Sequence, residues 1–251
     1  MPAEEMTMAS SMTPLQGRLL KSAADALARV REQKPLVMCL TNTVVTNWTA
    51  NCLLALGATP AMVEEPEEAA ELAASSGAVL VNVGTVTHSQ AAAMRDAIAS
   101  CNAHGVPWVL DPVAVDKLAF RRDLVGEFLR EKPRMVRGNA REIASLGSRL
   151  DGIVTLATDK IDAIGDIRIA NGVPMLQRVT GTGCAQGALA AAFCAVESNA
   201  MVAAVAASLA MALAGEAAYG HAKRPGSFQI ALLDALDALT PGDFLMKARF
   251  A

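Results

Sequence analysis

The nine residues Val179–Gly187, Val-Thr-Gly-Thr-Gly-Cys-Ala-Gln-Gly, hold the clearest chemical possibility in the chain. Before them, Pro174–Val179 is read as extended; after them, from about Ala185 to Val196, a small-residue helix is expected. Glycines at the joint let the backbone turn tightly and approach a ligand closely. The first amides of a helix have no intrahelical partner and sit at the positive end of its dipole. Gly181, Thr182 and Gly183 are therefore read as a hole for an anion, a phosphate above all. Cys184 falls in the same first turn, where the positive end is expected to lower its pKa and favour the thiolate. An anion hole beside a base is a chemical site. The alternative is a glycine-rich loop that only starts a helix.

Other chemistries find less support. The five cysteines, Cys39, Cys52, Cys101, Cys184 and Cys194, are odd in number and include no Cys-x-x-Cys pair. They read as reduced thiols of a cytosolic protein, not as a disulfide frame or zinc site. The three histidines, His88, His104 and His221, have no metal-ligand spacing and are expected at the surface near helix ends. A net charge of −3 gives no basic footprint for nucleic acid. Ala200–Ala214, the most apolar run, is short for a membrane span and is read as a buried helix. Met1–Thr13 has two acids and no basic lead, so it is expected to be a flexible leader and not a secretory signal.

The elements that would position the site alternate. Helices are expected over Leu15–Arg31, Asn47–Leu56, Pro66–Ser75, Ser89–His104, Phe120–Arg130 and Ala140–Leu146. Short apolar strands separate them at Leu36–Leu40, Ala78–Val83, Trp108–Leu110, Arg134–Val136 and Ile153–Leu156. From Thr158 to Gln177 a meander is expected, and three helices then close the chain, Gly183–Val196, Ala200–Gly220 and Phe228–Leu239. Strand–helix alternation means a mainly parallel sheet with helices on both faces. Ligands bind beyond the carboxyl ends of such strands. The polar residues following the strands, Asn42, Gly84, Asp111, Arg137, Asn139 and Thr158, should thus converge with Gly181–Cys184 on one edge.

Ordered motifs along almost the whole chain resemble the hydroxyethylthiazole kinase family, thiamine-salvage enzymes of the ribokinase-like superfamily. They are Leu40–Asn47, Thr49–Asn51, Leu53–Met62, Asn82–Thr85, Leu110–Val113, Arg137–Ala140 with Glu142 and Ile143, Val179–Cys184 and Pro225–Phe228. The resemblance implies a three-layer α/β/α sandwich around a mainly parallel sheet, one kinase domain over 14–251. It implies ATP-dependent phosphorylation of the alcohol of 4-methyl-5-(2-hydroxyethyl)thiazole, with Mg²⁺, in the cytoplasm. It also implies a homotrimer with thiazole pockets between subunits, and no nucleic-acid or membrane partner.

Residue by residue, the resemblance makes Gly181–Cys184 the cradle of the migrating phosphoryl group, with Cys184 as base. Asp111 and Glu142 become the anions for magnesium, although Asp111 also reads as a turn-starter before Pro112 and Glu142 as a capping glutamate. Arg137 and Thr158 become nucleotide contacts, although Arg137 also reads as a surface arginine paired with an acid. Asn42, Val44, Met62, Gly84 and Gly181 would line the thiazole pocket; Met62 also reads as core, and Asn42 as a loop-fixing residue.

Three features depart from the family pattern. The segment after Leu146 is short by about one helix. Thr158-Asp159-Lys160 replaces Thr-Gly-Glu, and Arg224 replaces glycine. Other readings stay open: a kinase for a hydroxymethylpyrimidine-like alcohol, an acyl-transfer enzyme using Cys184, or a thiazole-binding trimer without turnover.

Overall fold

A computed structural model describes residues 12–251; the expected leader, all but its last two residues, lies outside them. Helix α1, Pro14–Gln33, starts at a capping box in which Thr13 and Gln16 satisfy each other's backbone amides. Strand β1, Leu36–Leu40, leads through a loop to α2, Thr46–Leu56. Then follow β2, Thr59–Met62, α3, Pro66–Ser75, β3, Ala78–Asn82, and α4, His88–His104. Next come β4, Trp108–Asp111, α5, Ala119–Arg130, β5, Met135–Asn139, and α6, Ala140–Leu146. A 3₁₀ turn, Gly147–Leu150, runs into β6, Val154–Thr158, and the hairpin of β7, Asp162–Ile164, and β8, Ile167–Ile169. Helices α7, Thr182–Val196, α8, Ala200–His221, α9, Pro225–Ala238, and α10, Pro241–Lys247, close the chain.

The strands form one 8-stranded sheet in the order β2-β1-β3-β4-β5-β6-β7-β8. Pairing is parallel from β2 to β6 and antiparallel across β7 and β8. Alternate residues of each central strand feed different cores, because side chains leave a strand on opposite faces. Val37, Cys39, Ala78, Leu80 and Val109 face the core shared with α1, α2, α7, α8 and α9. Met38, Leu40, Val79, Val81 and Leu110 face the core shared with α3, α4 and α5. Both faces are covered, which is why these strands are uniformly apolar. The result is the expected three-layer α/β/α sandwich.

Several expectations change. Thr59–Met62 is a strand, unforeseen because Pro60 argues against one; it sits at the sheet edge, where a missing N–H costs no ladder bond. Pro174–Arg178 is a 3₁₀ turn rather than extended chain. A fourth closing helix, α10, is fixed by a Thr240–Asp243 capping box. Strand β5 runs on to Asn139, so Arg137 lies within the strand and not after it. Helix α8 has 22 residues and is long and apolar enough to cross a membrane. Its most apolar stretch is 78% buried, against α1, α7 and α9, so it is the central core helix of that layer.

Helix α7 carries the cradle and lies directly on the sheet. A Cβ at Gly187 would sit 3.2 Å from Leu80 Cδ1 and 3.3 Å from Asp111 Oδ2, so a larger residue there would press on both side chains.

Candidate active site

Gly181 adopts φ +84°, the left-handed conformation, and caps α7 with no side chain over the first amides. A Cβ there would also meet Val45 Cγ1 at 2.5 Å and Trp48 Cδ1 at 3.0 Å. The loop before α2 therefore packs against the cradle. Thr182 donates its hydroxyl to the Leu176 carbonyl at 2.8 Å, which leaves its backbone amide, and not its side chain, for an anion. Residues 181–184 are all partly exposed, so solvent reaches the helix start.

The strand ends deliver the other groups. Asp111 closes β4 and is fully buried. Its Oδ2 accepts from Asn82 Nδ2 at 2.7 Å, while Oδ1 has no partner among the described residues. Burial pushes its carboxyl up to about 7; Arg137 opposes the shift and Glu142 adds to it. Arg137 reaches from β5 to α7 and is 8% exposed. A Cβ on Gly183 would lie 2.7 Å from Arg137 Nη1, so the guanidinium covers the first turn of α7. Its Nη2 donates to Thr158 Oγ1 at 2.9 Å, and Nε and Nη2 donate to Gln186 Oε1 at 3.3 and 3.2 Å. Nη1 stands 3.8 Å from Asp111 Oδ2, outside hydrogen-bond range. The reading of Arg137 as a surface arginine is corrected: it is buried because its aliphatic stem and guanidinium fill the space between strand and helix.

Glu142 realises its capping reading. Oε2 accepts from the Asn139 amide at 2.9 Å, and Oε1 accepts from the Ala114 amide at 2.7 Å. It thereby ties α6 to the loop after β4, where Ala114 is held at φ +59°.

Cys184 accepts a hydrogen bond from Asn42 Nδ2 at 3.1 Å. Its expected pKa shift is overturned. Burial, then the charge of Asp111, push the thiol up to about 11, against the lowering pull of Asn82, Arg137 and Asn42. Burial removes the water that would stabilise a thiolate, and this is the largest cause of the shift. Cys184 is nevertheless the one half-buried cysteine; the other four are buried.

Gly84 belongs to the same cluster. A Cβ there would meet Asn42 Nδ2 at 2.8 Å and Asn82 Oδ1 at 2.9 Å. Val44 lies in the loop that carries Asn42 and is 67% exposed, and Met62 ends the edge strand β2, partly buried against the core. Two functional-looking residues were not singled out from sequence. Asn82 holds both Asp111 and the Gly84 amide, and the strand-end rule could have found it. Past the opening Thr182, Gln186 is the one polar side chain on a helix of alanine, glycine, cysteine and apolar residues, and that contrast was its signal. The three histidines are exposed at the ends of α4 and α8, so none supports Cys184 as a nucleophile.

Among the described residues no three His, Cys, Asp or Glu side chains form a ready metal cage. Mg²⁺ bound with phosphates needs less, commonly one or two carboxylates and several waters. The unpartnered Asp111 Oδ1 beside Glu142 fits that smaller demand. Two grooves, of about 500 and 480 Å³, open at the opposite ends of the strands around Pro107 and Arg134, away from the cradle.

The three-layer sandwich around a mainly parallel sheet has the ribokinase-like fold. A ribokinase-like superfamily protein from Enterococcus faecalis shares the fold at a TM-score of 0.56 and 13% identity, over 91% of this chain and 85% of its own. The chain belongs to the hydroxyethylthiazole kinase family, whose model matches residues 27–152 and 148–242. The two matched pieces overlap over residues 148–152, within the 3₁₀ turn and the chain that follows it. A hydroxyethylthiazole kinase from Akkermansia muciniphila is 42% identical over 262 aligned positions, covering 92% of this chain and 97% of the relative. The solved hydroxyethylthiazole kinase of Pyrococcus horikoshii superposes at a TM-score of 0.88 with 35% identity, covering 92% of this chain and 98% of the other.

Proposed function

We propose that this chain transfers the γ-phosphoryl group of ATP to the hydroxyl of 4-methyl-5-(2-hydroxyethyl)thiazole. The observation that carries the chemistry is the Arg137 guanidinium lying over the uncapped first turn of α7. Phosphoryl transfer needs positioning and charge stabilisation more than covalent help. The amides of Thr182, Gly183 and Cys184 face the migrating group from one side, and Arg137 from the other. Cys184 sits where the acceptor hydroxyl would shed its proton, with its sulfur oriented by Asn42. Thr158 steadies Arg137 and marks the nucleotide side. Asp111 and Glu142 would hold Mg²⁺, which would supply neutralising charge for the ATP phosphates.

Asn42, Gly84 and Gly181 would form the chain's own wall of the thiazole pocket, with Val44 and Met62 completing it toward a second copy. The exposure of Val44 and of Leu54, at 67% and 58%, supports an apolar contact there within a homotrimer. We take 14–251 as one kinase domain working in the cytoplasm.

A coupled ADP-release assay with ATP and Mg²⁺ tests the reading. ADP should form with hydroxyethylthiazole and stay at background without it. Turnover of a hydroxymethylpyrimidine instead would move the protein to the neighbouring activity, and thiazole binding without ADP would make it a binding protein.

The raised pKa of Asp111 has its own consequence. The folded group titrates at about 7, above its ordinary 3.8. The folded state thus binds more protons than the unfolded between those values, and this group's contribution to stability falls as pH rises through that window. In Asp111→Asn that loss is absent. In metal-free urea unfolding, the variant should gain on the wild type by a few kcal/mol, roughly, between pH 4 and pH 8. Parallel pH profiles for the two proteins would contradict the buried, uncompensated carboxylate.

A further inference from the structure

We propose that Gln186 is a positioning residue for Arg137, a neutral brace that aims the guanidinium at the α7 cradle without neutralising it. This rests on the kinase reading and names a residue that the reading does not require.

The geometry is a relay of buried side chains. Gln186 is 5% exposed and reaches from α7 to Arg137 of β5 and Asp162 of β7. Its Oε1 accepts from both Nε and Nη2 of Arg137, at 3.3 and 3.2 Å. Its Nε2 donates to Asp162 Oδ2 at 3.4 Å. Asp162 is fixed in turn: Oδ2 accepts from Ser208 Oγ of α8 at 2.7 Å, and Oδ1 from the Asp159 amide at 3.2 Å. The amide cannot be flipped, since reversal would set N–H against the guanidinium and oxygen against the carboxylate.

The electrostatics give the arrangement its purpose. Two buried carboxylates flank the guanidinium, yet neither makes a close pair with it. Asp111 stands off at 3.8 Å, and Asp162 is held one residue away, with Gln186 between. Buried arginines ordinarily find a bidentate acid, and that pair would spend the positive charge inside the protein. Here the close acceptors are neutral, Gln186 Oε1 and Thr158 Oγ1. Among the described residues Nη1 has no hydrogen bond, and it is the nitrogen nearest Gly183. The guanidinium is therefore oriented on two nitrogens and left with a charged edge toward the place of the phosphoryl group.

Gln186→Glu keeps the shape and puts a carboxylate on the guanidinium. Gln186→Met keeps the volume and removes the acceptor. ATP–Mg²⁺ binding is read by calorimetry without any thiazole, and both KM values and kcat by ADP release. Gln186→Glu should weaken nucleotide binding and lower kcat/KM for ATP by on the order of tenfold to a hundredfold, with thiazole KM within about twofold. Gln186→Met should lose about tenfold, less than the glutamate variant, since orientation goes but charge stays. In an Arg137→Met background, adding Gln186→Glu should change nothing further beyond about twofold, because the brace has nothing left to aim. Additive losses in that cycle, or equal effects on both substrates, would reduce Gln186 to core packing and overturn the inference. If the wild type binds ATP but leaves the thiazole alcohol unphosphorylated, the kinase reading fails while the binding arm still decides the role of Gln186. A wild type that binds no nucleotide overturns both.

Discussion

Arg137→Met should lower kcat by on the order of a thousandfold and leave the affinity for the thiazole alcohol within a few fold. Methionine fills much of the same volume between β5 and α7, so the sheet-to-helix contact survives while the charge does not. The guanidinium lies over Gly183; with the phosphoryl group placed there as proposed, charge would accumulate on its oxygens and the effect of Arg137 would grow from ground state to transition state. Lysine should recover little. A single ammonium on a flexible stem cannot hold Gln186 and Thr158 and still present a third donor to the phosphate. Steady-state kinetics with both substrates varied, beside thermal unfolding, measures this. A loss confined to stability, with kcat preserved, would assign Arg137 to the fold alone.

The strand-end residues show what a sequence can and cannot reveal here. Asn42, Gly84, Asp111, Asn139 and Thr158 follow short apolar runs punctuated by glycine and proline, and the parallel-sheet rule then sends them to one edge. The same reading stopped β5 too soon. Arg137-Gly138-Asn139 looks like loop by composition, yet Val136–Asn139 pairs in register with Thr155–Thr158. Sheet pairing, a long-range contact, overrode a local preference. The edge strand Thr59–Met62 failed for a related reason: its proline is harmless only because no strand lies beyond it. Glu142 was legible because a capping box is local, three residues from Asn139. The Gln186–Asp162–Ser208 relay was not, since α7, β7 and α8 meet only in the folded core. Cys184 combines the two cases. Its place at the helix start was visible in the glycines, but its proton affinity is set by burial and by Asp111, far away in sequence.

That last point turns into an expectation about catalysis. Cys184→Ala should lower kcat by about a hundredfold and raise the thiazole KM much less, as befits a proton acceptor rather than a binding group. With its thiol pushed up to about 11, Cys184 is protonated at neutral pH, and the reactive thiolate is a minor form. Activity limited by that thiolate should therefore climb with pH from 7 toward 10, and so should alkylation by iodoacetamide, about tenfold per unit. Cys184 is the one cysteine that is not fully buried, so alkylation reports on it in the folded protein. Cys184→Asp should keep activity and shift the climb to lower pH, because a carboxylate is ionised where the thiol is not, even beside Asp111. Cys184→Ser, with a hydroxyl of negligible acidity, should behave like alanine. Alkylation that already levels off near pH 7 would mean that the helix dipole outweighs burial after all. A kcat unchanged in Cys184→Ala would instead leave the proton to solvent or to the phosphate itself, and would confine Cys184 to holding Asn42 against Gly84.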